Sequence, residues 1–268
     1  MSRGICKKAD PENLNISGFA HKRCALLTIA PVYVRINHIL GRRFGLVIKA
    51  VFIDIDNTLL SFEAYVRQTM EEGFAHFGLK KYEPYMFDVF TEENNRLWRM
   101  IEEGKLSFSQ LESIRWGLVF RKLGMDFDGE VFERYFREKI YDSAIPEPGA
   151  VKLLEYLSGR YILCAASNGP YQQQVHRLDI AGMKKYFSYM FISEQVGASK
   201  PAKEFFDYAF SRLNEGRSVL IRPEETLIIG DSLTSDMRGG RNDVRNEDLL
   251  LQEGEKLSGS RRHRFCRG

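Results

Sequence analysis

A strongly apolar run, Ala50–Ile53, leads directly into two aspartates, Asp54 and Asp56, and then into the turn-like segment 57–60. Such a run is typical of a strand that is buried on both faces, as in a parallel sheet. Two carboxylates so close together are costly to bury unless a cation neutralises them. The segment therefore predicts a divalent-metal and ligand site, although an Asx-capped turn explains these few residues equally well when they are taken alone.

Length and composition restrict the class of protein. The 268 residues are enough for one large or two modest domains, and a 44% hydrophobic content supports a substantial core. No run of 18 apolar residues occurs, so no membrane span is predicted. The four cysteines are scattered and form no Cys-x-x-Cys pair, which argues against a disulfide or zinc framework and fits a reducing cytoplasm, the predicted location.

The net charge of +3 comes from the two ends of the chain. Residues 1–46 and 241–268 together hold 15 of the 39 Lys and Arg residues but only 7 of the 36 Asp and Glu residues, so that 24 basic and 29 acidic residues remain in 47–240. The middle of the chain is therefore mildly acidic. We expect no nucleic-acid groove there.

Residues 1–46 show neither helical periodicity nor strand-like alternation, and we interpret them as an N-terminal extension that precedes the domain. A basic arm or a transit peptide is one interpretation. The hypothesis that we favour is translated upstream sequence, with the domain beginning at Val47.

A helical insert is predicted for residues 62–145, where apolar residues recur with a period of 3.6. The predicted helices are Glu63–Phe77, Pro84–Glu103, Phe108–Leu123 and Gly129–Tyr141, with Ser107 as an N-cap. Their aromatic residues are expected to form a bundle core, with one or two facing a substrate (Phe74, Phe77, Phe87, Phe90, Trp98, Trp116 and Phe120).

Residues 47–61 and 146–240 are predicted to form one α/β domain with a Rossmann-like parallel sheet. After the first strand, strands at Tyr161–Ala166, Tyr189–Ile192 and Thr226–Ile229 alternate with helices at Ala150–Leu157, Tyr171–Ile180 and Ala202–Leu213, and a short helix lies near Met183–Phe187. This alternation favours right-handed crossovers. The carboxyl ends of parallel strands lie at one edge of the sheet, so the polar residues that follow each strand are expected to converge there.

Each strand end supplies residue types that suit phosphate chemistry. The candidates are Asp54, Asp56 and Thr58 after the first strand, Ser167, Asn168 and Gly169 after the second, Lys200 after the third, and Asp231 and Asp236 after the fourth. One carboxylate can attack phosphorus while another transfers protons. Hydroxyl, amide and backbone N–H groups can hold phosphoryl oxygens, and a lysine offsets their charge. Carboxylates, water and phosphate are the oxygen ligands that Mg²⁺ prefers.

In this order, the motifs resemble those of the haloacid dehalogenase-like (HAD) hydrolase superfamily, subclass I, over residues 47–240. The resemblance implies that Asp54 is the nucleophile and a Mg²⁺ ligand. It implies that Asp56 is the general acid and base and that its backbone carbonyl binds the metal. Lys200 would stabilise the phosphoaspartate. It further implies that Thr58 supports the first loop as part of the substrate site, and that Ser167 and Asn168 at the Gly169 turn bind phosphate. Asp231 and Asp236, the two acids of the fourth motif, would be metal ligands. Residues 62–145 would be a helical cap.

The same resemblance indicates a substrate class. Asp56 favours a phosphatase over a dehalogenase, because an alkoxide leaving group needs a proton and a halide does not. The segments 167–187 and 192–197, which include Gln172–Gln174 and Arg177–Leu178, resemble the pyrimidine 5′-nucleotidase group. We therefore expect a Mg²⁺-dependent 5′-nucleotidase acting on a small phosphorylated substrate. The alternatives are a sugar-phosphate or phosphoglycolate phosphatase, a binding module whose basic ends engage a polyanion, and an inactive product.

The family pattern fails after Gly240. Residues 241–268 form a polar, basic tail in which Leu249–Leu251 is too short and isolated to predict a strand. We expect an incomplete sheet edge, and one hypothesis is a frameshift near Arg241–Val244. Sequencing the coding DNA tests it, because a single-base shift would then restore a strand-like ending.

Overall fold

The computed structural model describes residues 47–237 and the backbone of residues 249–250. The predictions for residues 1–46, and those for most of the tail, lie outside the described residues. Within the described part of the chain, no helix combines the length and the apolar character that crossing a membrane requires.

The described chain forms a parallel sheet with a helical insert after its first strand. The strands are β1 (Ala50–Ile53), β2 (Ile162–Ser167), β3 (Tyr189–Ile192), β4 (Thr226–Gly230) and β5 (Leu249–Leu250), in the spatial order β3-β2-β1-β4-β5. The helices of the insert are α1 (Phe62–His76), α2 (Pro84–Glu102), α3 (Phe108–Leu123) and α4 (Gly129–Tyr141). Those of the sheet domain are α5 (Ala150–Ser158), α6 (Tyr171–Ile180), α7 (Ser193–Val196) and α8 (Lys203–Leu213). The predicted parallel α/β fold is confirmed.

Alternate residues of β1 face opposite sides of the sheet, as the strand period of two requires. Val51 and Ile53 pack with α5 and α6 on one face. Phe52 packs on the other face with α8, through Phe205 and Phe206. Both faces of β1 are therefore covered, which explains why the strand is apolar at every position.

The four insert helices enclose a separate aromatic core around the fully buried Trp116 and Phe132. Ser107 caps α3, accepting from the Gln110 backbone N–H at 3.2 Å, while the Gln110 side chain accepts from the Ser107 N–H at 2.8 Å. The predicted N-cap is therefore present, and it completes a capping box. The insert has its own apolar core and does not depend on the sheet for one.

Two chain crossings join the insert to the sheet domain. The Ser61 N–H donates to the Ile145 carbonyl at 2.7 Å, and the Glu147 N–H donates to the Leu59 carbonyl at 2.9 Å. Leu60 and Pro146 form an antiparallel bridge between these two bonds. The two crossings therefore run side by side at the carboxyl edge of the sheet.

The expectation that no strand follows residue 240 is wrong for Leu249–Leu250. These two residues pair in parallel with Ile229 and Gly230 at the outer edge of β4. A two-residue apolar segment has no strand signal of its own, but the unpaired edge of β4 supplies the hydrogen-bonding partner. The strand is shorter than the other four, in keeping with an incomplete edge.

Candidate active site

Asp54 is the first residue after β1, and its position is fixed by the neighbouring strand. Its N–H donates to the Ile229 carbonyl of β4 at 2.9 Å. The chain then turns through Asn57, whose φ of +56° lies in the left-handed region that asparagine tolerates better than most residues. The Asn57 side chain accepts from the Glu63 N–H at the start of α1 at 3.0 Å. The turn therefore directs the chain from the carboxyl edge of the sheet straight into the insert.

Lys200 reaches the same edge from the segment after β3. Its Nζ lies 2.7 Å from Asp54 Oδ1, 2.7 Å from Asp236 Oδ1 and 2.7 Å from the Ala166 carbonyl oxygen. The residue is only 2% exposed. Burial alone would lower the pKa of the ammonium, but Asp236 and Asp54 raise it above its ordinary value, so that Lys200 is held as a buried cation.

Three carboxylates cluster at this edge of the sheet, and Lys200 contacts two of them, Asp54 and Asp236. One oxygen each from Asp54, Asp231 and Asp236 lies within 4.8 Å of the others. Burial raises the pKa of Asp54 well above its ordinary value, and Asp236 and Asp231 add to the increase while Lys200 opposes it. Burial and Asp236 raise the pKa of Asp231 to about 6. The cluster therefore holds more negative charge than one lysine can offset.

Gly230 makes room for Asp236 in this cluster. A Cβ atom on Gly230 would lie 2.2 Å from Asp236 Oδ2, much closer than any real contact. The Asp236 carboxylate also accepts from the Ser232 N–H at 3.1 Å. Asp236 is 1% exposed, because the chain folds back over β4 after Ser232.

The residues predicted at the end of β2 take different positions. Ser167 lies at the cavity, where its Oγ accepts from the Gly169 N–H at 3.2 Å. The Asn168 side chain instead binds the Lys200 backbone, donating to its carbonyl at 2.8 Å and accepting from its N–H at 2.7 Å. Both polar ends of the Asn168 amide are therefore occupied by the lysine segment. Asn168 therefore positions Lys200. Because Asn168 and Gly169 line the cavity together with Ser167, their contact with phosphate stays a prediction.

Thr58 does not line the cavity with the other predicted residues. It is 3% exposed, and its Oγ1 is buried without a hydrogen-bond partner among the described residues. Its N–H lies 3.4 Å from the Ile55 carbonyl in the turn after β1. The residue is placed to support that turn, and direct contact with a substrate is not favoured.

The Asp56 carboxylate lines the same cavity but is not part of the three-acid cluster, and two residues of α6 hold it. Arg177 Nη1 donates to Asp56 Oδ1 at 2.6 Å, and Gln174 Nε2 donates to Asp56 Oδ2 at 2.7 Å. The sequence motifs include Gln174 and Arg177 but indicate no role for either residue. Their i, i+3 spacing places two polar residues on one buried face of a helix, which is a signal that could have identified them.

A cavity of about 590 Å³ lies between the carboxyl edge of the sheet and the insert. Its floor carries the clustered acids and Lys200, while its opposite wall comes from α2, α3 and α4. Wall residues include Asn94, Asn95, Trp98, Phe108, Glu112 and Arg115. The wall therefore offers aromatic faces and hydrogen-bonding groups opposite the charged floor. Of the aromatic residues predicted for the bundle core, Trp98 lies in this wall.

An open parallel α/β sheet with an acidic site at its carboxyl edge, covered by an inserted helical unit, defines a class of ligand-binding α/β enzymes. Within that class, residues 48–242 match the family model for haloacid dehalogenase-like hydrolases. The chain belongs to this family, which confirms the resemblance drawn from its motifs.

Similar proteins include two pyrimidine 5′-nucleotidases. PynA of Streptococcus pneumoniae is 33% identical over 195 residues, with 72% of this chain and 80% of PynA covered. YjjG of Escherichia coli is 30% identical over 193 residues, with 72% and 81% covered. A glyceraldehyde 3-phosphate phosphatase of Methanopyrus kandleri is 27% identical over 201 residues, with 72% and 79% covered.

The crystal structure of the HAD-hydrolase YfnB of Bacillus subtilis, bound to magnesium, is similar to this chain with a TM-score of 0.69. The two sequences are 29% identical, and the match covers 76% of this chain and 89% of YfnB. Most of this chain therefore has a counterpart in a solved structure.

Proposed function

We propose that this protein is a Mg²⁺-dependent phosphomonoesterase that forms an aspartyl phosphate on Asp54. The observation that carries the proposal is the position of Lys200 Nζ, 2.7 Å from Asp54 Oδ1 and 2.7 Å from Asp236 Oδ1, two acids of the cluster that lines the cavity. A buried carboxylate beside a buried cation is suited to attack a phosphoryl group, whose oxygens the cation then stabilises. Phosphoryl transfer depends mainly on such positioning and electrostatic stabilisation.

The reaction has two steps. An Asp54 oxygen attacks phosphorus, the bond from phosphorus to the ester oxygen breaks, and the Asp56 carboxyl donates its proton to that oxygen, which leaves as an alcohol. Asp56, now ionised, takes a proton from water. The water oxygen attacks phosphorus, the bond from phosphorus to Asp54 breaks, and inorganic phosphate and the Asp54 carboxylate are released.

The donor set fits Mg²⁺. Asp54, Asp231 and Asp236 offer clustered carboxylate oxygens, and with all three ionised beside Lys200 the net charge suits a divalent cation. The Asp56 backbone carbonyl is the further ligand proposed. When bound, Mg²⁺ would neutralise charge on the phosphoryl group. Asp54 and Lys200 supply the nucleophile and the fixed cation from the chain itself.

A nucleoside 5′-monophosphate is the proposed substrate. The Trp98 and Phe108 rings lie in the insert wall of the cavity, with their centroids 5.7 Å apart. An exposed aromatic face can stack on a base while the phosphate reaches the acidic floor. Similarity to PynA and YjjG supports this choice. Similarity to glyceraldehyde 3-phosphate phosphatase keeps a sugar-phosphate substrate as the second candidate.

Phosphate release from a panel of nucleoside and sugar monophosphates, with and without Mg²⁺, tests the proposal. We expect Mg²⁺-dependent release that favours nucleotides and is abolished in Asp54→Asn. Asp179→Asn, on the surface of α6, serves as a matched control and should retain activity. Release that is unchanged in Asp54→Asn, or that is independent of Mg²⁺, would refute the mechanism, and a preference for sugar phosphates would select the second candidate.

A further inference from the structure

Arg177 is a fully buried arginine outside the acid cluster, at 0% exposure. Its Nη1 donates to Asp56 Oδ1 at 2.6 Å and to Gln174 Oε1 at 2.9 Å. Its Nε donates to the Ser143 carbonyl at 2.8 Å. Burying a guanidinium removes its charge from water at a cost in free energy, and these contacts offset that cost.

The partners of Arg177 belong to different parts of the molecule. Asp56 lies at the carboxyl edge of the sheet, whereas Ser143 lies in the segment that returns from α4 to the sheet domain. The rigid, planar guanidinium therefore fixes the direction of the Asp56 carboxylate relative to the chain segment that carries the insert. Lysine, with a single nitrogen on a flexible stem, cannot bind both partners in this geometry.

Gln174 completes the arrangement from the same helix. Its Nε2 donates to Asp56 Oδ2 at 2.7 Å and to Ser167 Oγ at 2.7 Å, while its Oε1 accepts from Arg177. Both oxygens of Asp56 are thus oriented by neighbouring donors, one on each. A proton-transferring group needs such orientation, since it must lie within hydrogen-bond reach of the leaving oxygen.

We propose that Arg177, acting with Gln174, is a positioning residue that aligns Asp56 for proton transfer and ties that alignment to the Ser143 segment joining the insert to the sheet. The inference rests on the proposed function and extends it to residues that do not touch the reacting atoms. The competing explanation is that Arg177 only fastens the joining segment to α6.

The dependence of the rate on the leaving group separates these explanations. An alkyl phosphate such as a nucleoside 5′-monophosphate needs its leaving oxygen protonated, whereas the nitrophenolate of para-nitrophenyl phosphate leaves readily without a proton. The ratio kcat/KM reports the steps through the first phosphoryl transfer, to Asp54. A misaligned Asp56 should therefore lower kcat/KM for the nucleotide far more than for the nitrophenyl ester.

We expect Arg177→Met to lower kcat/KM for the nucleotide on the order of 10²-fold, within the range that general acid catalysis supplies. The loss for para-nitrophenyl phosphate should be about tenfold smaller. With that ester, slower hydrolysis of the phosphoenzyme should also produce a burst. Arg177→Lys should show the same selectivity in weaker form, and Asp56→Asn should show it in full.

His176→Ala is the matched control. His176 lies next to Arg177 on α6, and its Nε2 lies 2.8 Å from Asp142 Oδ1 in the same joining segment, but it does not contact Asp56. If the segment alone mattered, this variant would reproduce the selective loss. We expect it to affect both substrates equally and weakly.

Three outcomes would each overturn the inference. Arg177→Lys could lose activity equally on both substrates, or it could keep full activity. His176→Ala could show the selective loss. If Arg177→Met does not fold, Arg177→Lys decides the question, since it retains the positive charge. If the wild type hydrolyses neither substrate, the proposed function fails and the inference fails with it. An active wild type without a selective loss refutes the inference alone.

Discussion

Lys200 illustrates how single residues set the chemistry of this site. Its ammonium group contacts two carboxylates and a carbonyl oxygen at 2.7 Å, and the Asn168 amide holds its backbone from both sides. A lysine held in this way loses little freedom when a phosphoryl group arrives, and such pre-organisation is the main source of electrostatic stabilisation. Asn168 thus acts through the position of Lys200.

Trp98 provides the test of substrate class at the residue scale. Base stacking on an aromatic ring contributes about 1–3 kcal/mol, so Trp98→Ala should raise KM for a nucleoside monophosphate about tenfold. Hydrolysis of a small phosphate ester without a ring should change by less than about twofold. Steady-state kinetics on both substrates measures this difference.

Tyr85→Ala is the control, because Tyr85 lies on the same helix, is 49% exposed and does not line the cavity. It should leave both substrates unaffected. An equal rise in KM for both esters in Trp98→Ala would contradict base stacking, since a residue that only shaped the wall would not distinguish them.

At the scale of elements, the contact between α3 and α4 depends on one glycine. A Cβ on Gly129 would lie 2.2 Å from the Gly117 backbone nitrogen, whereas a Cβ on Gly117 would meet nothing within 4 Å. Gly129→Ala should therefore destabilise the protein by about 1–3 kcal/mol, because the helices must separate. Gly117→Ala should be neutral or stabilise by up to about 1 kcal/mol, since alanine favours a helix interior.

Urea unfolding measures both variants. The midpoint should fall for Gly129→Ala and hold or rise for Gly117→Ala, with the slope unchanged. Equal midpoints for the two variants would mean that the helices do not pack as closely as described.

Glu225 connects the start of β1 to the start of β4. Its carboxylate accepts from the Arg222 N–H at 3.0 Å and pairs with Lys49 Nζ at 2.7 Å. These contacts, the Arg222 N–H most of all, lower the pKa of Glu225 from 4.5 to about 2. Because the pKa in the folded state is below that of the unfolded chain, the ionised form stabilises the protein above pH 4.5, and this stabilisation is lost between pH 4.5 and 2.

Glu225→Gln should therefore lower the free energy of unfolding near neutral pH. The difference from wild type should shrink as the pH falls through that window, because protonated Glu resembles Gln. Chemical unfolding of the variant and the wild type at several pH values measures this difference. A difference that is constant with pH would exclude an electrostatic origin.

The elements were largely predictable because their signals are local. The period of 3.6 and the N-cap Ser107 located the insert helices within a residue or so, and the apolar runs located β1 to β4. Convergence of Asp54, Lys200 and Asp231 followed from parallel topology. The side-chain contacts of Arg177 and Asn168 were not predictable, because parallel topology brings strand ends together but does not specify which side-chain atoms hydrogen-bond there. β5 was not predicted because its two residues have no strand pattern of their own and form a strand only by pairing with β4.

The described part of the molecule consists of two units with separate cores and a cavity between them. The sheet domain supplies the acids and Lys200, and the insert supplies the opposite wall. Fold and family are established by the topology and the matched model. The proposed mechanism uses both units and predicts that the phosphoryl group of the substrate is transferred to Asp54.

Trapping the aspartyl phosphate tests whether Asp54 is the nucleophile. The full-length enzyme is mixed with Mg²⁺ and para-nitrophenyl phosphate, quenched in acid within the first turnover, digested and analysed by mass spectrometry. We expect one phosphate on the peptide that contains Asp54, which hydroxylamine removes and which is absent in Asp54→Asn. Turnover with no phosphorylated peptide, or with the phosphate on another residue, would contradict it.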